Sequence, residues 1–332
     1  MPIFSPNKHN LQRAANLIQN GELVAFPTET VYGLGANALD AQAVQKIFNA
    51  KGRPSYNPLI VHVLDIDAAR ELVLDWPRNA QLLAEHFWPG ALTFVLPKRG
   101  TVPDIVTAGL ASVAVRSPSH PVARVLLQAA QRPIAAPSAN KFTQTSPTRA
   151  EHVISSLGDS LMVLEGVCDV GIESTVLDLT RDVPVLLRPG TISREDIENV
   201  VGAIKLRGEI EYSNSSTAPR PSPGLIERHY APRATLQIFY SSEELTQEEY
   251  GGDGWLSGAL LLSSFTDLRN RFDFPIQMPN DAPAYARELY AYLHALDDAG
   301  CSVVFVEDVP PDCAWDGVRD RLQRASTPLK TS

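Results

Sequence analysis

Lys51 and Arg53 stand two residues apart where the helix-like stretch AQAVQKIFNAKG ends, and they open into Pro54-Ser55-Tyr56-Asn57-Pro58. Four residues after Pro58, His62 interrupts the apolar run PLIVHVL. Cations at a helix end complement its dipole and often do nothing else. An imidazole inside a strand needs a hydrogen-bonding partner if it is buried, and Asn57 adds one more polar group beside the two cations. A second set, Ser138-Ala139-Asn140-Lys141 and then Ser146-Pro147-Thr148, follows directly on an apolar run. Serine and asparagine there form ordinary turns and caps. Loops at the carboxyl ends of strands also hold ligands in α/β sheets, and small hydroxyls with exposed N–H groups suit phosphate oxygens. Arg116 in SVAVRSP and Arg188 in VLLRPGT each end an apolar run. A guanidinium is costly to bury and cannot shed its charge, so each calls for a carboxylate or phosphate, from a ligand or from a structural ion pair. Thr28-Glu29-Thr30-Val31-Tyr32-Gly33-Leu34-Gly35 and Gly171-Ile172-Glu173-Ser174-Thr175 are hydroxyl-rich and suit a small polar substrate such as an amino acid; Gly33 and Gly35 read as turn formers.

The elements that would carry these groups alternate. LQRAANLIQNG has helical spacing and a glycine stop; ELVAFP reads as a strand, TETVYGLGANALD as a loop and AQAVQKIFNAKG as a helix. The runs at 58–64, 91–97, 112–118, 133–139 and 175–180 read as strands between helical stretches such as NAQLLAEHFW and PVARVLLQAAQ, an α/β layer architecture. Residues 206–232, rich in Pro and Ser, read as a linker. Beyond it TLQIFY, GALLLSS and CSVVFVEDV read as buried strands and AYARELYAYLHALDDAG as an amphipathic helix, a small Rossmann-like unit. Neither G-x-G-x-x-G nor G-x-x-x-x-G-K-[ST] occurs, so a nucleotide would have to be held another way.

A chain of 332 residues with 44% apolar and 20% charged residues is globular, and two domains are expected. No run approaches the roughly 20 apolar residues of a membrane span and no secretory signal is apparent, so a soluble, cytoplasmic protein is expected. Cys168, Cys301 and Cys313 are far apart without a Cys-x-x-Cys pair, which suggests reduced thiols and neither a disulfide framework nor a structural zinc. The net charge of -9 opposes nonspecific nucleic-acid binding. Residues 1–205 hold 18 basic and 19 acidic residues, whereas 233–332 hold 8 and 16, so the first two hundred are free to concentrate positive charge around an anionic ligand.

FPTETVYGLGANA, KGRPSYNPLIVH, VAVRSPSHPVA, APSAN, SPT, GIESTV and LRPGTI occur in the order and at the spacing of the YrdC-like family of threonylcarbamoyl-AMP synthases, and HYAP at 229–232 with DRLQRAS at 320–326 resembles its two-domain form. The resemblance implies a YrdC-like catalytic domain over 1–205, a twisted open mixed sheet with a concave basic site. It further implies a linker and active-site lid over 206–232 and a small Rossmann-like C-terminal domain over 233–332. It implies an enzyme joining L-threonine, bicarbonate or CO2 and ATP into threonylcarbamoyl-AMP and pyrophosphate, for N6-threonylcarbamoyladenosine at position 37 of tRNAs reading ANN codons. Carried over residue by residue, Lys51, Arg53, Ser138 and Asn140 form the catalytic signature. Thr30, His62, Arg116, Ala136 and Ser174 bind L-threonine, with Arg116 facing its carboxylate. Arg53, Asn57, Ser112, Ser138, Ser146, Arg188 and Tyr230 bind ATP, Tyr230 closing over the nucleotide. Mg2+ is expected on the ATP phosphates with no protein ligand, and the product is expected to pass to a downstream tRNA threonylcarbamoyl transferase without stable direct tRNA binding. Lys141-Phe142-Thr143-Gln144 departs from the family, which usually has glycine after the asparagine. Two alternatives are an RNA-binding module using the same basic concavity and the related module of hydrogenase-maturation carbamoyltransferases. The latter resemble longer proteins with Cys-rich zinc fingers.

Overall fold

In the computed structural model, residues 2–210, 229–241, 244–245, 255–262 and 266–327 are described, and the structural statements below concern these residues. Short aliphatic runs form the strands β1 (Ile3–Phe4), β2 (Val24–Phe26), β3 (Gly33–Asn37), β4 (Ile60–His62), β5 (Leu92–Pro97), β6 (Ser112–Arg116), β7 (Ile134–Ala135), β8 (Met162–Leu164), β9 (Thr175–Asp178), β10 (Val185–Arg188) and β11 (Lys205–Leu206). They make one mixed sheet in the order β1-β8-β2-β3-β7-β4-β6-β5-β9-β10-β11. Its helices are α1 (Lys8–Gln19), α2 (Ala41–Lys51), α3 (Ile66–Arg70), α4 (Arg78–Phe87), α5 (Asp104–Thr107), α6 (Pro121–Ala130), α7 (Ala150–Leu157) and α8 (Arg194–Val201). The chain then builds a second sheet from β12 (Thr235–Phe239), β13 (Ser257–Leu261), β14 (Phe274–Gln277) and β15 (Val303–Glu307), all parallel in the order β12-β15-β13-β14. With α9 (Thr266–Arg269), α10 (Ala282–Asp298) and α11 (Asp316–Ala325) this is the smaller α/β unit expected after the linker.

Local chemistry explains the element ends. Asn7 caps α1 through Asn10 N–H, Asp40 caps α2 through Gln42 and Ala43 N–H, and Gly52 ends α2 in the left-handed region at φ 64°. Helix α2 therefore stops where Lys51 and Arg53 must leave it. The TETVYGLGANALD segment differs from the expected loop: only its first part is one, and Gly33–Asn37 is a strand paired antiparallel with β2. A Cβ at Gly35 would stand 2.7 Å from Phe26 and 2.8 Å from Ile134, so this glycine permits close strand packing where a turn was expected. Strand β14 was not anticipated because Phe274-Pro275 obscures the pattern; as the edge strand it tolerates a proline. The first unit runs past residue 205, since β11 pairs with β10 and a short 3-10 turn follows at Arg207–Glu209. Of the expected linker, 211–228 lies outside the described residues.

Apolar faces of α2, α4, α7 and α8 cover one side of the large sheet, and α1 with α6 covers part of the other. The core of the smaller unit takes in Val31 and Ile172 of the first unit together with Tyr230, so the two units share buried surface. All three cysteines are free thiols. Among the described residues no helix is long and apolar enough to cross a membrane.

Candidate active site

Strand register sets the site. His62 at the end of β4 lies beside Arg116 at the end of β6, and Val176 of β9 lies between Thr93 of β5 and Arg188 of β10. The antiparallel pairing of Phe94 with Val115 puts Thr93 next to Arg116, so one row of the sheet runs from His62 to Arg188. The loops 28–32, 136–138, 173–174 and 229–230 close around this row to form a cavity.

At the Arg116 end the charged and hydroxyl groups are tied to one another. Arg116 is buried and forms an ion pair with Glu29 at 3.0 Å, without hydrogen-bond geometry, while its Nη1 donates to Thr30 Oγ1 at 3.0 Å. Thr28 Oγ1 donates to the Val31 carbonyl at 2.7 Å, so the 2.8 Å contact between the two threonine hydroxyls must be donated by Thr30. Thr30 then accepts from Arg116, giving a directed chain of donors. Glu29 also accepts from Ser119 N–H at 3.2 Å. Burial, reinforced by the Arg116 charge, brings His62 down to about 3, so its imidazole is neutral. His62 Nδ1 and Arg116 Nε are buried without a hydrogen-bond partner among the described residues. A buried row of this kind suits a small zwitterion.

The Arg188 end concentrates cations. Arg188 donates to the Ser174 carbonyl from Nε at 3.1 Å and from Nη2 at 2.9 Å, and Nη2 reaches Ser174 Oγ at 3.2 Å, which in turn contacts Thr93 Oγ1 at 2.8 Å. Its Nη1 donates to the Tyr230 hydroxyl at 3.4 Å. Arg53 is held by the carbonyls of Asn57 at 3.2 Å and Pro58 at 2.9 Å, and its guanidinium lies 5.9 Å from the Phe142 ring centroid. Burial lowers Arg53 to about 10, and Arg188 adds to the effect, leaving it charged at neutral pH. Burial and the neighbouring cations Arg53, Lys51 and Arg188 hold His229 well below the usual imidazole value, so it is neutral too. Tyr230 is buried at φ 64°, a conformation that a side-chain-bearing residue keeps only when its surroundings fix it. Here Ala231 N–H donates to the Thr143 carbonyl at 3.0 Å and His229 N–H to the Arg324 carbonyl at 3.1 Å.

Sequence comparison agrees with this architecture. A family model described as "Telomere recombination" matches residues 16–190, and one described as "Threonylcarbamoyl-AMP synthase, C-terminal domain" matches 192–327. The chain is 40% identical to the threonylcarbamoyl-AMP synthase of Pyrococcus abyssi, over 94% of this chain and 93% of that one. It is 41% identical to the one from Bacillus subtilis, over 97% and 94%. The chain belongs to the threonylcarbamoyl-AMP synthase family. Its fold superposes on the crystal structure of P. abyssi Sua5 complexed with L-threonine with a TM-score of 0.86 at 38% identity, covering 98% of this chain and 97% of that one.

Of the site residues expected from the sequence, Thr30, Arg53, His62, Arg116, Ala136, Ser138, Ser174, Arg188 and Tyr230 line the cavity. Four others sit behind or beside it. Lys51 does not line the cavity: its ammonium is buried beneath the loop and donates to the carbonyls of Ser138, at 2.6 Å, and Asn140. Burial, with Arg53 and Lys141 nearby, lowers its proton affinity well below that of an ordinary lysine. Asn140 donates to the carbonyls of Lys141 and Gln144, both at 2.8 Å, so lysine and asparagine shape the loop that presents Ser138. Asn57 is fully buried with its amide lacking a partner among the described residues, and Ser146 donates to Glu173 at 2.5 Å. Ser112 lies at the opposite end of β6 from Arg116, half-buried and paired with Pro97.

The departure at 141–144 has a structural reading. Phe142 packs edge-on against His229 at 5.9 Å and Thr143 takes φ 71°, letting this loop pair with the segment that carries Tyr230 through Gln144 and Ala231. Sequence reasoning missed the partners that hold the site: Glu29 for Arg116, and Tyr290, His294 and Arg321 from the smaller unit. Arg321 left a trace, since Val318, Arg321, Leu322 and Ala325 share the buried face of α11, where an arginine requires a buried partner.

Proposed function

We propose that this cavity joins L-threonine, bicarbonate or CO2 and ATP into threonylcarbamoyl-AMP and pyrophosphate. The observation that carries the reading is the single strand row from His62 and Arg116 through Thr93 and Val176 to Arg188, with Ser174 bridging Thr93 and Arg188 from the adjoining loop, which sets an ion-paired end suited to an amino acid beside a cation-rich end suited to a triphosphate. Threonine's carboxylate meets Arg116 and its hydroxyl and amine meet Thr30, Ser174 and the neutral His62. With bicarbonate, the amine forms a carbamate and releases water; a carbamate oxygen then bonds to the α-phosphorus of ATP as the bond to pyrophosphate breaks.

The chain's contribution is positioning and charge. Arg53 and Arg188 offset repulsion between the carbamate and the phosphates, and being already bonded to carbonyls they do not reorganise as charge develops. Lys51 and Asn140 fix the loop that turns Ser138 toward the phosphates. Mg2+ is proposed to arrive on the triphosphate and supply further charge neutralisation. Among the described residues no group of three His, Cys, Asp or Glu is disposed to hold an ion, and Glu173 is engaged by Arg321, Tyr290 and Ser146. Transfer of the product to a tRNA threonylcarbamoyl transferase in the cytoplasm, for modification at position 37 of tRNAs reading ANN codons, belongs to the same proposal. An RNA-tracking surface fits poorly with Arg53, Arg116 and Arg188 at 7%, 3% and 2% exposure.

The test is incubation with ATP, Mg2+, labelled bicarbonate and each amino acid in turn, with pyrophosphate and labelled adenylate measured. Turnover dependent on both threonine and bicarbonate is expected; turnover without either, or none, overturns the reading.

A further inference from the structure

The smaller unit sets an arginine directly behind residues that line the cavity. Arg321 on α11 is fully buried; its Nε donates to Glu173 Oε2 at 2.8 Å and its Nη2 to the Glu173 carbonyl at 3.1 Å. Nη1 donates to the Pro189 carbonyl at 2.9 Å, directly after Arg188, and to Asp320 at 2.7 Å. The guanidinium lies 5.2 Å from the Tyr230 ring centroid, and Tyr290 of α10 stacks against Tyr230 at 6.2 Å. The Tyr290 hydroxyl donates to Glu173 Oε2 at 3.0 Å, and Glu173 Oε1 accepts from Ser146 at 2.5 Å. Helix α11 approaches this closely because Gly317 has no side chain: a Cβ there would stand 2.6 Å from the Gly190 carbonyl oxygen. One arginine thus touches the loop that carries Ser174, the turn after Arg188 and the ring of the lid.

We propose that Arg321 is a positioning residue for adenylation: acting from the smaller unit through Glu173, it fixes the 171–175 loop, the Ser146 hydroxyl and the closed Tyr230 in the arrangement that receives ATP. The proposal rests on the reading of this cavity as the adenylation site. A carboxylate beside a triphosphate would repel it unless neutralised, and Arg321 supplies that charge while leaving Arg188 and Arg53 to the phosphates. Glu173 faces Arg321, Tyr290 and Tyr230 on one side and Arg188, Lys51 and Ser146 on the other. Burial would raise its carboxyl, yet Arg321, Arg188 and the Ser146 hydroxyl hold it below the ordinary carboxylate range. The ionised acid accepts hydrogen bonds from both hydroxyls, so the arrangement needs Glu173 deprotonated.

The experiment follows pyrophosphate release by the full chain at saturating threonine and bicarbonate, with ATP varied across about pH 5.5 to 8.5. The proteins compared are wild type, Arg321→Met, Arg321→Lys and Tyr290→Phe, with threonine affinity measured by calorimetry. For Arg321→Met, kcat/KM for ATP should fall about tenfold or more, as when an orienting partner of a ligand-contacting group is lost, with a clearly smaller loss in threonine affinity. Without Arg321 the Glu173 carboxyl moves up, so a new acid limb should appear in which activity falls with falling pH, absent from wild type; Arg321→Lys should recover part of both effects. A folded Arg321→Met variant with wild-type kcat/KM and profile overturns the proposal. So does a loss uniform across pH that is as large for threonine affinity as for ATP. If Arg321→Met does not fold, Tyr290→Phe decides, removing one donor to Glu173: a smaller upward shift of the limb supports the proposal and an unchanged profile overturns it. Wild type without turnover overturns the functional reading and this proposal together, whereas active wild type with indifferent variants overturns this proposal alone.

Discussion

The two ends of the cavity are built differently. At the Arg116 end, Arg116, Glu29, Thr30 and Thr28 are linked by an ion pair and hydrogen bonds, with His62 beside Arg116, and all come from the large sheet and its loops. At the Arg188 end, Arg188 comes from the same sheet and Arg53 from the loop after α2, but Tyr230 and the groups around it, Tyr290, His294 and Arg321, come from beyond residue 228. The Arg116 end is therefore held largely within the first unit, although Val31 beside Thr30 packs into the core of the smaller one, whereas the Arg188 end takes Tyr230, Tyr290 and Arg321 from beyond residue 228. On the proposed function, the ATP end should respond more strongly than the threonine end to perturbation of the smaller unit.

The largest effect should come from breaking the self-paired end. Replacing Arg116 with Met leaves Glu29 buried and uncompensated, a loss of about 3–5 kcal/mol in stability together with threonine binding. Urea denaturation and calorimetry check this, and a variant as stable as wild type would show that the pair does not organise that end. At the other end, Arg53→Ala should lower turnover by about 10²- to 10³-fold while threonine affinity holds. Equal loss of threonine affinity would mean that the two ends are not separable. A third effect is titration. His62 in the folded chain is depressed to about 3, below its unfolded value near 6.5, so between these values the unfolded state binds the extra proton. Its contribution is complete above about pH 6.5 and should fade as pH falls toward 3. His62→Asn should flatten part of that dependence in denaturation midpoints, and an unchanged slope would count against a neutral buried imidazole. The smallest effect is expected for Tyr230→Phe, which removes one 3.4 Å hydrogen bond from Arg188 while keeping the stacked ring. A few-fold rise in KM for ATP corresponds to the roughly 0.5–1.5 kcal/mol of such a bond. A collapse of activity would instead assign the lid's role to its hydroxyl.

His152 and His294 mark the docked boundary from the outside. Their rings stack at 3.9 Å between α7 and α10, and His294 Nε2 lies 3.2 Å from the carbonyl oxygen of Ser146. Burial, with His294 and Arg149 beside it, lowers His152 to about 3, and burial also lowers His294, so the stacked pair is neutral. The carbonyl contact belongs to the same residue whose hydroxyl Glu173 accepts, so Ser146 is held on both sides by groups that the smaller unit supplies or orients.

Much of this was legible in the chain itself. Periodicity and glycine stops located the helices that end at Gly21 and Gly52, and the apolar runs ending in Arg116 and Arg188 marked strand ends that carry polar groups, whereas His62 was read inside its run and the structure ends the strand there. Those signals are local, set by side-chain period and backbone preference within a few residues. The Gly33–Asn37 strand escaped because glycine there answers to Phe26 and Ile134, which are distant or non-adjacent in the chain. Which charge neutralises which is a tertiary matter as well: Glu29 reaches Arg116 across 87 positions, and Glu173 reaches Arg321 across 148. By itself the sequence determined the elements, the inventory of cations and hydroxyls and the family. Only the tertiary structure decided that Lys51 supports a loop, that Arg116 is paired, and that the smaller unit brings Arg321 and Tyr290 to Glu173, because burial and partner choice depend on neighbours that no local pattern encodes.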